Sequence, residues 1–275
     1  MSVISIETRK ANELAATSNI GDSSIFMVHD GTGLKRITFE DVKRAMVYPN
    51  AGSHNSIYRG KYLGDSVSAA QYSAIRNGTF DDLFIGDYWT IGGIDYRIAA
   101  FDYFYNTGNI PCIIHHLVIV PDQCLYKTKM NDSQSTNTGY VGTTLYTTGL
   151  NQAKSIITNA FRGHVISHKL LHSNAAVNGV VTNSVWCDSY IDLMSEIMAY
   201  GTNILSRYSV SQYIVEKYQL PLFALDPSKL MIDRAHWWLK DIVSDSGFAM
   251  LHGDNVSFVH NVVNEGGVRP HFCIS

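Results

Sequence analysis

The clearest period in the chain lies between residues 150 and 161. Leu150, Ala153, Ile156, Ile157, Ala160 and Phe161 recur at offsets of 3, 6, 7, 10 and 11 residues, the spacing of one apolar helix face. An earlier helix is marked by its ends. Ser68-Ala69-Ala70-Gln71 is a capping box, Tyr72 and Ile75 follow it, and Asn77-Gly78 supplies the stop. Tyr88-Trp89-Thr90-Ile91 and Ile94-Asp95-Tyr96-Arg97-Ile98 flank Gly92-Gly93, which predicts a hairpin. The apolar run His116–Val120 closes at Pro121 and predicts a buried strand. Ile191 to Tyr200 fits either a helix or a strand, closed by Gly201. Beyond Ala235 the pattern is of short strands and turns, through Trp237-Trp238-Leu239, Phe248–Leu251, Val256–Val259 and Gly266–Phe272. The expected class is α+β, with two or three helices beside antiparallel strands.

The first 50 residues read differently. Ser24–Val28 and Leu34–Ile37 flank the turn cluster His29-Asp30-Gly31-Thr32-Gly33 and predict a second hairpin. Thr38-Phe39-Glu40-Asp41 caps a short helix expected through Val42 and Ala45-Met46 and ended by Pro49. So small a piece buries little area and calls for a partner or a larger assembly. Asn50-Ala51-Gly52-Ser53-His54-Asn55-Ser56 is small and polar and reads as a linker. The expected division is a 1–50 attachment segment and a 57–275 domain.

Composition narrows the functions available. Lys plus Arg number 21 and Asp plus Glu 24, a formal charge of −3 over 275 residues. Such a balance offers no basic footprint for nucleic acid. No apolar run approaches the ~20 residues of a membrane helix, and the first ten residues lack the apolar core of a secretory signal. Cys112, Cys124, Cys187 and Cys273 are widely spaced, with no CxxC pair, and read as thiols made in a reducing cytoplasm.

Catalytic signals are few. His164, His168 and His172 would share a face on a helix, the spacing of a zinc pair, but no Glu completes the motif. His115-His116 would point to opposite faces of a strand, and Asp81-Asp82 reads as a turn. No P-loop, GxGxxG or GxSxG is present. The expectation is a protein that is not an enzyme and holds no metal or cofactor. The 16 tyrosines carry more weight. Tyr96, Tyr103, Tyr105, Tyr140 and Tyr146 lie beside Asn, Thr and Gly, a composition favoured on recognition surfaces. The loops 103–110, 131–140 and 253–255 supply the expected contact residues Tyr103, Tyr105, Asn106, Asn131, Asn137, Tyr140, Asp254 and Asn255. Trp237-Trp238-Leu239-Lys240-Asp241 and Gly266-Gly267-Val268-Arg269-Pro270 read as scaffold, with the Trp pair packing both faces of a strand and Arg269 pinning loops.

Several runs resemble structural proteins of tailed bacteriophages. They are Tyr58-Arg59-Gly60-Lys61-Tyr62-Leu63-Gly64, the stretch Gly78 to Trp89, Tyr96-Arg97-Ile98-Ala99 with Phe101-Asp102-Tyr103, Pro121-Asp122, Met130-Asn131 and Gly139-Tyr140-Val141-Gly142. The closing Trp-Trp-Leu-Lys-Asp to Gly-Val-Arg-Pro pattern resembles a phage and bacterial surface domain, with Lys240 where that pattern usually has Arg. The likeness covers about 57–275 and implies a C-type-lectin-like α+β scaffold displaying variable loops. Sulfatase-modifying enzymes are more distant members. Their catalytic cysteines are not matched, so that activity is not carried over. The run Asn19 to Val28, followed by the turn and the Leu-Lys-Arg-Ile-Thr strand, is similar in style to attachment pieces of phage fibres. The resemblance implies a virion protein assembled in the host bacterial cytoplasm. It would be a homotrimer held to other virion proteins through 1–50, binding a host-surface glycan or protein, with neither nucleic acid nor membrane insertion. A capsid decoration, head-fibre or collar protein is one alternative, and a glycan-degrading or modifying enzyme another.

Overall fold

The computed structural model describes residues 21, 23–29, 31–39, 41–42, 50–207, 215–232, 235–254 and 256–275. The chain divides into two compact units, Met1–Tyr48 and Pro49–Ser275.

In the first unit, β1 (Ile25–His29) and β2 (Leu34–Thr38) form an antiparallel hairpin with His29 opposite Leu34 and Ile25 opposite Thr38. The Thr38 hydroxyl accepts from the Asp41 backbone N–H at 3.1 Å, the cap that the sequence signals. The rest of the expected helix, through Ala45-Met46, lies outside the described residues.

The second unit begins earlier than expected. Asn50–Ser56 is not a linker: it forms α1 (Ala51–His54), capped by the Asn50 side chain accepting from Ser53 N–H at 3.0 Å. His54 is buried and donates from Nδ1 to the Leu83 carbonyl at 2.6 Å. Asn55 exchanges two hydrogen bonds with the Phe101 backbone, at 2.9 and 2.8 Å. Small polar residues look linker-like in composition, yet here they supply caps and backbone partners.

Beyond α1 come α2 (Ala69–Arg76), with both halves of its capping box in place, and the hairpin β3 (Tyr88–Ile91) and β4 (Ile94–Phe101). β5 (Leu117–Pro121) and β6 (Tyr126–Lys129) follow. A five-residue π-helical turn, Leu145–Gly149, runs straight into α3 (Leu150–Phe161). Next are β7 (Val165–Ile166), β8 (His168–Val177), β9 (Val180–Ser189), β10 (Ile191–Leu193), α4 (Glu196–Tyr200) and α5 (Pro221–Leu225). The chain closes with β11 (Trp237–Ser244), β12 (Gly247–Leu251), β13 (Ser257–Asn261), β14 (Glu265–Val268) and β15 (Pro270–Ile274).

One antiparallel sheet has the order β10-β15-β5-β4-β3, with β7 sharing an edge of β15. A second has the order β13-β12-β11-β14-β6, and β8 and β9 form a separate long hairpin. The class is α+β. Consecutive strand residues face opposite ways, so β11 sends Trp237 into a core with Leu239, Phe104 and Phe272, and Trp238 into another with Met250, Phe248 and Tyr140. Arg269 is fully buried; its Nε donates to the Pro121 carbonyl at 2.8 Å, and its guanidinium lies 5.2 Å from the Trp237 ring. All four cysteines are free thiols. Among the described residues no helix is long and apolar enough to cross a membrane.

Replacing Asn55 with Ala leaves the Phe101 N–H and carbonyl without these partners, at a cost of about 1–3 kcal/mol. Urea denaturation of N55A against wild type measures this loss; a change near zero contradicts the packed role of this turn.

Candidate ligand pocket

The β8–β9 hairpin decides where the unit's buried charges meet. Its turn is Asn178-Gly179, with φ of 51° and 73°, the left-handed pair that a two-residue hairpin of this twist requires. This overturns the helical reading of His164, His168 and His172. His164 precedes the strands and stacks on Tyr72 at 3.5 Å. His168 and His172 lie on β8, where residues four apart share a face, and both are buried.

His172 Nε2 lies 3.1 Å from Asp192 Oδ2 on β10, and both side chains are inaccessible. The Tyr140 hydroxyl donates to Asp192 Oδ1 at 3.0 Å, and the Ser189 hydroxyl donates to Oδ2. Burial alone would raise the Asp192 carboxyl. His172, Lys240 and the Ser189 hydroxyl outweigh it and hold the group below the usual carboxylate range. The three residue types of a hydrolase triad are present in the wrong order. Here the carboxylate bridges Ser and His, whereas a nucleophilic relay places His between the other two. The arrangement is a structural hub joining the 131–140 loop, β8, the end of β9 and β10.

Above this hub opens a surface pocket of about 170 Å³, with Asp192 and Ser189 at its base. The π-helical turn contributes Tyr146, a kind of distortion that often marks function, and α3 contributes Asn151 and Lys154, three residues apart on its exposed face. The β9–β10 connection contributes Asp188 and Tyr190. Tyr146 packs edge-on against Tyr140 at 5.0 Å and His172 at 5.7 Å. Burial and the Asp192 charge push its hydroxyl far above the usual phenol range, so it stays protonated. Lys154 Nζ lies 5.3 Å from the centre of the half-exposed Tyr190 ring. Asp188 is paired with Lys169 at 2.9 Å.

Two further hollows flank α3. One of about 250 Å³ at its start is lined by Lys127, Thr144, Thr148 and Gln152, and one of about 220 Å³ near its end by Ile91, Ile94, Ile156 and Asn159. Among the described residues, no group of three or more His, Cys, Asp or Glu side chains has the geometry of a metal site.

The expected contact residues are placed differently. Tyr103 is buried and donates its hydroxyl to the Tyr218 carbonyl at 2.5 Å. Tyr140 is buried on the hub, and Asn131 is buried with its amide bridging Ser135 and Thr144 at 3.1 and 3.3 Å. These three are internal posts and cannot meet a partner at the surface. Tyr105, Asn106, Asn137 and Asp254 are exposed. Tyr105 stacks on His115 at 4.7 Å, and Asp254 Oδ1 lies 2.6 Å from His252 Nδ1. Asn255 lies outside the described residues. None of the eight lines the pocket over Asp192. Of the tyrosines singled out in the sequence, Tyr146 does; Asn151, Lys154 and Tyr190 were missed. The exposed side of the predicted helix held two of them.

Comparison with family models, curated proteins and solved structures finds no match for this chain.

The interior behind the hub sets a pH response. Both ring nitrogens of His168 and of His271 lack a hydrogen-bond partner, and both rings stack on Phe104, at 4.2 and 5.7 Å. Burial holds His168 well below its ordinary value of 6.5 and brings His271 down to about 4. The unfolded chain takes up these protons near pH 6.5 and the folded chain does not. Stability is therefore complete above that pH and falls towards pH 4, by up to about 1.4 kcal/mol per pH unit per histidine. Asp241 acts in the opposite sense: burial and the nearby Glu196 push it up to about 7, so the folded chain keeps this proton and recovers one increment. The net expectation is a melting temperature that falls on going from pH 7.5 to 5.0. Calorimetry across that range checks it, and an unchanged or rising value contradicts it.

Proposed function

We propose that this chain is a structural protein of a tailed-bacteriophage virion, of the fibre or receptor-binding type, that attaches the particle to the host surface. The first unit is the anchor, joining other virion proteins and assembling as a homotrimer. The second is a C-type-lectin-like display scaffold whose ligand is a host-surface glycan.

The observation that carries this reading is the set of exposed apolar side chains on the first hairpin. Ile25, Met27 and Leu34 share one face by register with His29, Arg36 and Thr38 and are 57%, 63% and 71% exposed. Two strands are marginal alone in water, and exposed apolar side chains of this kind are stabilised when another surface covers them. The second unit is built round its own core, with Trp89, Trp237 and Trp238 fully buried. One part built to join and one built to be displayed is the division an attachment protein uses. The bacteriophage-like motifs of 57–275 favour the same reading. The polar pocket over Asp192 gives the displayed part a place for a sugar, and weak sites held at fixed spacing gain avidity.

Light scattering on the full chain is expected to give three times the single-chain mass. Met27→Glu with Leu34→Glu is expected to return it to a monomer and to lower adsorption to host cells at least tenfold. A wild-type chain that stays monomeric, or a double variant that remains trimeric, contradicts the role given to this face.

A further inference from the structure

The hollow near the end of α3 is lined by a residue whose polar atom the fold leaves unanswered. Ile91 of β3 pairs in register with Ile94 of β4, and Ile94 and Tyr96, two apart on that strand, share a face. Ile156, Asn159 and Ala160 of α3 complete the lining, at the three- and four-residue spacing of one helix face. Tyr96 is fully buried, and its ring packs edge-on against Phe161 at 5.1 Å and Phe272 at 5.9 Å. Its hydroxyl is buried too and has no hydrogen-bond partner among the described residues. Such a group is a cost to the folded chain that an acceptor on a ligand removes. Burial pushes the phenol up to about 12, so it stays protonated and can donate.

From this lining we infer that the hollow takes the acetamido group of an N-acetylated amino sugar, with the acetyl methyl among the isoleucines and the acetyl carbonyl accepting from the Tyr96 hydroxyl. This rests on the glycan reading above; it adds a second subsite to the displayed unit and specifies its ligand. The volume of about 220 Å³ equals roughly seven water molecules, room for an acetamido group and part of its ring. None of the lining side chains is charged, so a charged group would lose its hydration and meet no counter-charge there. An unmodified hexose would set its hydroxyls against Ile91, Ile94 and Ile156 without partners. A wholly apolar ligand would leave the Tyr96 hydroxyl unanswered. An acetamido group joins a methyl to a strong acceptor in one neutral unit. Asn159, exposed beside it, offers an amide that donates and accepts, suited to the ring hydroxyls.

The test is a titration of the full-length protein, by calorimetry and saturation-transfer NMR, with methyl N-acetylglucosaminide and methyl N-acetylgalactosaminide against methyl glucoside and methyl galactoside. The acetylated sugars are expected to bind at least tenfold more tightly, with the acetyl methyl receiving the strongest saturation. Tyr96→Phe removes only the unanswered oxygen. It is expected to erase most of the preference while the melting temperature holds or rises. Ala160→Leu, which grows into the hollow, is expected to erase the preference with the hydroxyl still present. Equal binding of acetylated and plain sugars overturns the inference and leaves the glycan reading standing. A preference that survives either variant does the same, as does a melting temperature that falls in Tyr96→Phe, which would make the hydroxyl a structural post. No binding of any of the four, with host envelope polysaccharide also failing to bind, removes both.

Discussion

The second unit depends on a carboxylate that has been taken out of water. An ionised Asp192 with no accessible surface is tolerable only if its lone pairs are filled and a counter-charge is near. Tyr140, Ser189 and His172 fill the lone pairs from three separate stretches of chain, the buried Lys240 supplies positive charge nearby, and Leu193 N–H returns a hydrogen bond to the Tyr140 oxygen at 3.3 Å. Placing one charge correctly thus fixes the 131–140 loop, the long hairpin and the first sheet against each other. The pocket lies on top of this hub. Its walls can be polar and open because the ground beneath them is held by charge-assisted bonds.

The same logic of one element serving two sides recurs at β11. Trp237 and Trp238 divide the interior into two cores, and Gly266 of β14 makes room for Trp238. A Cβ on Gly266 would come within 2.7 Å of Trp238 Nε1. Arg269, one residue beyond β14, then bridges to the first sheet through the Pro121 carbonyl. The closing sequence pattern is therefore a clamp between sheets, consistent with its reading as scaffold.

Local signals in the sequence were legible and distant ones were not. The capping box at Ser68, the Gly92-Gly93 turn and the apolar face from Leu150 to Phe161 each draw on neighbours within a dozen residues, and the helices and hairpin stand where they point. The β8–β9 hairpin was hidden by a histidine spacing that fits either a helix face or a strand face. The Asn178-Gly179 turn was the signal that distinguished them. Tyrosine content did not tell inside from outside, since Tyr103 and Tyr140 pair their hydroxyls internally while Tyr105 and Tyr190 do not need to be covered. The pocket was illegible for a plainer reason. It draws on residues 146, 151–154 and 188–192, which only the tertiary fold brings together.

The exposed surface offers a rival to this pocket. The 105–114 loop leaves Tyr105, Ile110, Ile113 and Ile114 in water at 39%, 63%, 75% and 45% exposure, a largely apolar set. The measurement that separates them most directly is hydroxyl-radical footprinting of the full-length protein on host envelopes. The account predicts protection of Tyr146 and Tyr190 with the 105–114 loop left reactive. Protection of Tyr105, Ile110 and Ile113 with Tyr146 and Tyr190 unchanged would contradict it.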